Sequence, residues 1–144
     1  MKRAITLIAI AVSVSAFCIQ EKTLFEPERP IIKNVNLEVY KSNDYLSAIY
    51  NDATAKISIT ITKVCRNSRM IVWNKTFNAL QLKQYPSLED ALLQKVAIDN
   101  VFDNKEHLEV RCTISYNSKG GLLEIHNGVL VSKGVTDGTL IIQI

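Results

Sequence analysis

Lys56-Ile-Ser-Ile-Thr-Ile-Thr-Lys-Val-Cys65 places Ile57, Ile59 and Ile61 on one side of an extended chain and Ser58, Thr60 and Thr62 on the other. Successive side chains of a strand point to opposite faces, so this alternation of β-branched residues predicts a half-buried strand. Val35, Leu37 and Val39 alternate in the same way, and the turn-forming Lys41-Ser42-Asn43-Asp44 follows them. Tyr45 to Tyr50 is a further short run. Arg66-Asn67-Ser68-Arg69 turns the chain into Met70–Phe77, whose unbroken Met-Ile-Val-Trp predicts burial on both faces.

The period changes after Pro86. Leu88, Ala91, Leu92, Lys95 and Val96 fall at helical spacing behind a capping-box-like Ser87 and Asp90, which predicts a short helix over 87–97. Alternation returns at His107 and carries Leu108, Val110, Cys112, Ile114 and Tyr116 on one face. Asn117-Ser-Lys-Gly-Gly121 closes a hairpin. Asn127-Gly128 predicts a type I′ turn between Leu122–His126 and Val129–Ser132, and Asp137-Gly138 predicts another before Thr139–Ile144. The pattern is that of an all-β protein: an antiparallel β-sandwich, immunoglobulin-like or a related Greek key, of about seven or eight strands with one short helix near 87–97.

The chain has 144 residues, a formal charge of +3 and a mean hydropathy of +0.08. Much of both sits at the N-terminus. Met1-Lys2-Arg3 is basic, Ala4 to Val14 is apolar, and Val14-Ser15-Ala16 is small, the order of a secretory signal peptide over 1–16 with cleavage after Ala16. A membrane-spanning helix needs about 20 apolar residues, and Ser13, Ser15 and Gln20 dilute this stretch before Glu21. Without the signal, 128 residues carry a net charge of only +1. A nucleic-acid footprint needs a dense basic surface, which this balance excludes. Residues 17–34, with Pro27 and Pro30, read as an extended leader, and 35–144 as a single sandwich domain.

Three cysteines follow the cut. Cys18 is the candidate for lipidation, although the bulky Phe17 stands where a lipoprotein signal takes a small residue; otherwise Cys18 is a free thiol. Cys65 shares the parity of Ile57, Ile59 and Ile61, and Cys112 that of Val110 and Ile114. Both thus point at the core in a chain expected to reach an oxidising compartment. A disulfide between them would close a loop worth roughly 4 kcal/mol in the chain-entropy model; the alternative is two separate buried thiols.

Sequence motifs for catalysis are absent: there is no nucleophile elbow, HExxH, P-loop or dinucleotide glycine pattern. His107 and Glu109 share a strand face at a spacing compatible with a metal or acid–base pair, but Arg111 continues the row as it would on a solvated surface. His126 reads as surface too, and Trp73 as core. Tyr40, Tyr45, Tyr50, Tyr85 and Tyr116 lie near strand ends or turns, where a half-buried tyrosine rim forms a binding patch. Asn74-Lys75-Thr76 matches the N-glycosylation acceptor.

The export signal, the proline-bearing leader and the run Val-Asn-Leu-Glu-Val-Tyr, Tyr-Leu-Ser-Ala-Ile-Tyr-Asn-Asp and Lys-Ile-Ser-Ile-Thr-Ile-Thr resemble the opening of the small secreted β-sandwich proteins of Bacteroides-type bacteria. The resemblance covers roughly residues 28–77 and implies an immunoglobulin- or fibronectin-like sandwich with no assigned activity. The helix at 87–97 and the longer meander depart from that pattern, which bears on strand order.

The expectation is an exported, non-catalytic module, secreted, periplasmic or on the cell surface, needing no cofactor or metal and binding an unknown protein or glycan. Contact with a membrane comes only through the signal peptide or a lipid on Cys18. The alternative is a structural or accessory subunit of a surface assembly, joined through an edge strand, with Val35–Tyr40 or Thr139–Ile144 as the edge. An enzyme would require a pocket in which His107 or His126 meets a carboxylate.

Overall fold

Eight strands, β1 (Ile31–Tyr40), β2 (Thr54–Cys65), β3 (Ser68–Thr76), β4 (Leu80–Gln81), β5 (Leu92–Val101), β6 (Glu106–Ser118), β7 (Gly121–Val131) and β8 (Asp137–Gln143), make up the regular structure of a computed structural model that describes residues 28–144. The expected signal peptide, Cys18 and the first part of the expected leader lie outside the described residues. The strands form two packed sheets. The small one has the order β5-β1-β8, and the large one the order β3-β2-β6-β7, with β4 also on β2. Pairing is antiparallel except between β1 and β8, which run parallel.

The core lies between the inner faces. Ile57, Ile59 and Ile61 of β2 meet Leu108, Val110, Cys112 and Ile114 of β6 on one side, and Val35, Leu37 and Val39 of β1 face them from the other. Full burial of each such aliphatic side chain contributes about 1.5–3 kcal/mol, so the alternation in β1, β2 and β6 carries most of the sandwich. β1 begins four residues earlier than its valines suggest, inside the expected leader, because Lys33 also takes an inward position and is fully buried. Its Nζ donates to Ser132 O at 2.6 Å and pairs with Asp103 Oδ1 at 2.6 Å. Lys63, the inward residue of β2 at the same end, donates to Asn100 O and pairs with Glu106.

Five local expectations are corrected. The helix at 87–97 does not form; β5 occupies Leu92–Val101 and pairs with β1, burying Val96, Ile98 and Val101. Tyr45–Tyr50 is not a strand but a loop ending in one helical turn, Ala48–Tyr50. Met70–Phe77 is not buried on both faces, because β3 is an edge strand with Met70 and Ile71 exposed. Trp73 is half-buried against the core. Asn127-Gly128 does not turn, since β7 runs unbroken through both residues opposite β6. The turn before β8 is at Lys133-Gly134, and Asp137-Gly138 already pairs with β1.

The expected disulfide is also overturned. Cys112 stands opposite Ile59, whereas Cys65 stands opposite Glu106. Six strand residues at about 3.3 Å each put the two near 20 Å apart along the sheet, far beyond the roughly 7 Å Cα separation that a disulfide tolerates. Both are free thiols. Burial raises the Cys112 thiol to about 11.

Candidate functional site

The two sheets differ in width, and the difference opens a cleft. β8 crosses the inner face of β7 only near Val131 and Asn127, where Asn127 Nδ2 donates to Ile141 O at 3.3 Å. Toward its start β7 has no opposing strand. Leu123 and Ile125 point to the inner side, opposite Tyr116 and Ile114 of β6, yet remain 59% and 44% exposed. The loop before β2 supplies the other wall.

That loop is held at both ends. Ser42 donates its backbone N–H and its hydroxyl to Ile144 O, and Lys41 N donates to Pro86 O. Tyr50 N bonds Ser47 O in the helical turn, and Ala53 N bonds Tyr50 O. Between these anchors Tyr45 adopts a positive φ of 53°, a left-handed conformation that costs a residue with a bulky side chain free energy and persists only where surrounding contacts fix it. Here the fixing contact is aromatic. The Tyr45 and Tyr50 rings meet edge to face at 5.1 Å and 81°, an arrangement favoured by the ring quadrupole.

The cleft encloses about 440 Å³ between Tyr45, Ile49 and Tyr50 on the loop and Tyr116, Leu123 and Ile125 on the sheet. That volume is within the usual range of small-ligand sites. Tyr85 lies beneath, its hydroxyl donating to Ala55 O at 2.8 Å; burial first, then the neighbouring Tyr116, push it up to about 12. Tyr116 is raised as well, by burial and then by Tyr45 and Cys112. Both phenols are therefore protonated at neutral pH. The lining contains no carboxylate, imidazole, thiol or amine. Such a surface binds by shape and apolar contact, with tyrosine hydroxyls at its rim.

The other sequence candidates lie elsewhere. His107 Nε2 is 3.8 Å from Glu109 Oε1 on the outer face of the large sheet, and Glu109 also pairs with Arg69 and Arg111. Two guanidinium groups thus hold the carboxylate on an open surface. His126 is exposed on the same outer face, with Nδ1 at 3.0 Å from Thr113 Oγ1. No group of three or more His, Cys, Asp or Glu side chains with metal-binding geometry exists among the described residues. A second hollow, about 650 Å³, is formed by Arg111, Thr113, His126 and Gly128 on one hairpin alone.

Of the five tyrosines flagged as a rim, the fold brings Tyr45, Tyr50 and Tyr116 together at the cleft and buries Tyr85 below it. Ile49, Leu123 and Ile125 were not anticipated. Their alternation and hydrophobicity gave no sign that the opposing sheet would stop short. Comparison with protein-family models, with curated proteins and with solved structures finds no match for the chain.

Proposed function

We propose that this chain is an exported, non-catalytic β-sandwich domain that binds a protein partner, taking an apolar side chain of that partner into the tyrosine-lined cleft. The cleft carries the reading: a concave site with three tyrosines, Ile49, Leu123 and Ile125, all but free of charge. Tyrosine-rich apolar hollows are the usual seats of interface anchor residues, because the ring buries a large area while its hydroxyl stays hydrated. Glycan recognition would call for several convergent amide and carboxylate groups, and here Asn117 and Ser118 are the polar side chains besides the tyrosines. Export is supported by the basic, apolar and small-residue order of residues 1–16.

The test uses indole and phenol as side-chain probes, with methyl glucoside alongside, followed by NMR on the purified protein. Indole is expected to bind with a Kd on the order of 1 mM and to shift the Tyr45, Tyr50, Tyr116 and Ile125 resonances. Leu123→Asp, at an exposed position, should abolish those shifts and leave the fold intact. Shifts from the glucoside alone, or indole binding indifferent to Leu123→Asp, would overturn the reading.

A further inference from the structure

Five strands lie at sheet edges among the described residues, and four of them are short or protected; β4, beside β3 on β2, has only two residues. β3 carries Arg69 and Lys75 and a bulge at Val72, where Ile61 pairs with Trp73 but Thr62 with Ile71. β5 carries Lys95 and a bulge at Asn100, whose φ is 55°. β8 is only seven residues long and has its Ile141 carbonyl bonded by Asn127. β7 differs. It runs for eleven residues with no Lys, Arg or Pro and no break in register, and it exposes Leu122, Leu123, Ile125 and Leu130. A long, apolar edge is a template for another strand. Among the described residues, Gly128 N–H alone of its backbone N–H groups is held by a side chain, donating to Asn127 Oδ1 at 2.8 Å.

We propose that this other strand is β7 of a second copy of the chain, paired antiparallel about a two-fold axis at His126, so that one sheet continues through two molecules. The sequence of β7 matches that symmetry. Counted outward from His126, Leu122 meets Leu130 on the outer face and Leu123 meets Val129 on the inner face, and all eleven residues find a mate. An isologous contact requires such self-complementarity.

The charges fit the same register. Glu124 of one copy falls opposite Gly128 of the other, and behind Gly128, in the same row across the sheet, stands Arg111 of β6. With strands about 4.8 Å apart, the Arg111 and Glu124 backbones lie some 10 Å from each other, a span their side chains bridge because glycine leaves the space between them empty. The hollow formed by Arg111, Thr113, His126 and Gly128 then receives the Glu124 carboxylate. A slip of two residues sets Leu122 against Gly128 and removes both the leucine pairing and the Arg111–Glu124 row. In the paired molecules Val129 and Asn127 of the second copy stand beside Leu123 and Ile125, bounding the open side of the cleft. The dimer does not depend on what the cleft binds.

Sedimentation equilibrium of the purified protein is expected to give twice the chain mass at high concentration and the chain mass on dilution. Arg111→Glu and Glu124→Arg should each raise the dissociation constant roughly tenfold, since each substitution enters the interface twice, and the two together should restore association. In a background carrying Cys18→Ser and Cys65→Ser, His126→Cys should form a disulfide-linked dimer under mild oxidation. A monomer at every concentration overturns the proposal. So does a dimer indifferent to both charge reversals, or one that fails to cross-link through position 126. Protection of the outer β7 amides from hydrogen exchange in a monomer would mean that a strand of the same chain covers the edge, and would overturn it too.

Discussion

Lys33 takes an inward position in β1, where Val35, Leu37 and Val39 continue the row, and its ammonium is removed from solvent entirely. A buried charge is tolerated only when paired and hydrogen-bonded, and Asp103 together with Ser132 O supplies both requirements from two different loops. The Asp103 carboxyl is held below its ordinary 3.8, first by its hydrogen bond to Lys33 and then by the Gly134 N–H. A depressed carboxylate pKa contributes stability that is present above the unfolded value and is lost as pH falls through the folded value. Asp103→Asn should therefore lower the thermal midpoint at neutral pH, by a margin that begins to shrink as the pH falls below about 4 and closes only below the lowered folded value. Melting curves of both proteins across that range measure it; a constant gap down to acid pH would show that Lys33 does not depend on the negative charge. The inward parity of Lys33 was readable in the sequence. Its acceptance in the core was not, because Asp103 and Ser132 approach it only after the chain has closed.

At the scale of elements, β5 is where local pattern and tertiary pairing disagree. Leu88, Ala91, Leu92 and Val96 suit a helix, while Val96 and Ile98 also suit a strand; β1 decides the matter by offering a complete row of backbone partners from Val39↔Leu92 to Lys33↔Ile98. The leucines that a helix would have buried are left in solvent, Leu88 at 61% and Leu92 at 47%. Ile98→Ala should accordingly cost about 2–4 kcal/mol, whereas Leu88→Ala should stay within about 0.5 kcal/mol of the parent. Denaturant titrations compare them, and the reverse order would favour the helical reading. β7 follows the same logic. Asn-Gly is a strong turn signal, but a side chain at Gly128 would come within 2.6 Å of Val110 O, so the glycine permits close approach to β6, and Asn127 reaches across to β8 rather than capping a turn. Where alternation was long, in β1, β2 and β6, sequence and structure coincide. Where a dipeptide or a short run carried the reading, the neighbouring strand overrode it. Parity likewise placed Cys112 at the core but was silent on position along the strand, which is what separates it from Cys65.

The molecule as a whole is an asymmetric sandwich, with three strands covering part of a wider sheet. That asymmetry creates the cleft, and no run of residues encodes it, because it depends on where β8 meets β7. The meeting point is specific. A methyl group on Gly138 would overlap Val131 Cγ2, so the sheets close by setting a bare backbone against a fully buried, β-branched side chain. Gly138 does not have a positive φ, so alanine there meets a steric obstacle and no backbone strain. Gly138→Ala should destabilise by about 1–3 kcal/mol, the usual cost of overpacking a filled core, because the stiff valine cannot rotate away. Val131→Ala should cost about 2 kcal/mol through lost burial and the space left behind. In the double variant the added methyl fills part of the vacated volume, and the combined loss should fall short of the sum by at least about 0.5 kcal/mol, the size of coupling expected for residues in direct contact. Chemical denaturation of the four proteins closes the cycle. Strict additivity would mean that the sheets adjust their separation instead of packing at a fixed joint, and the width of the tyrosine cleft would then not be set by the contact between Val131 and Gly138.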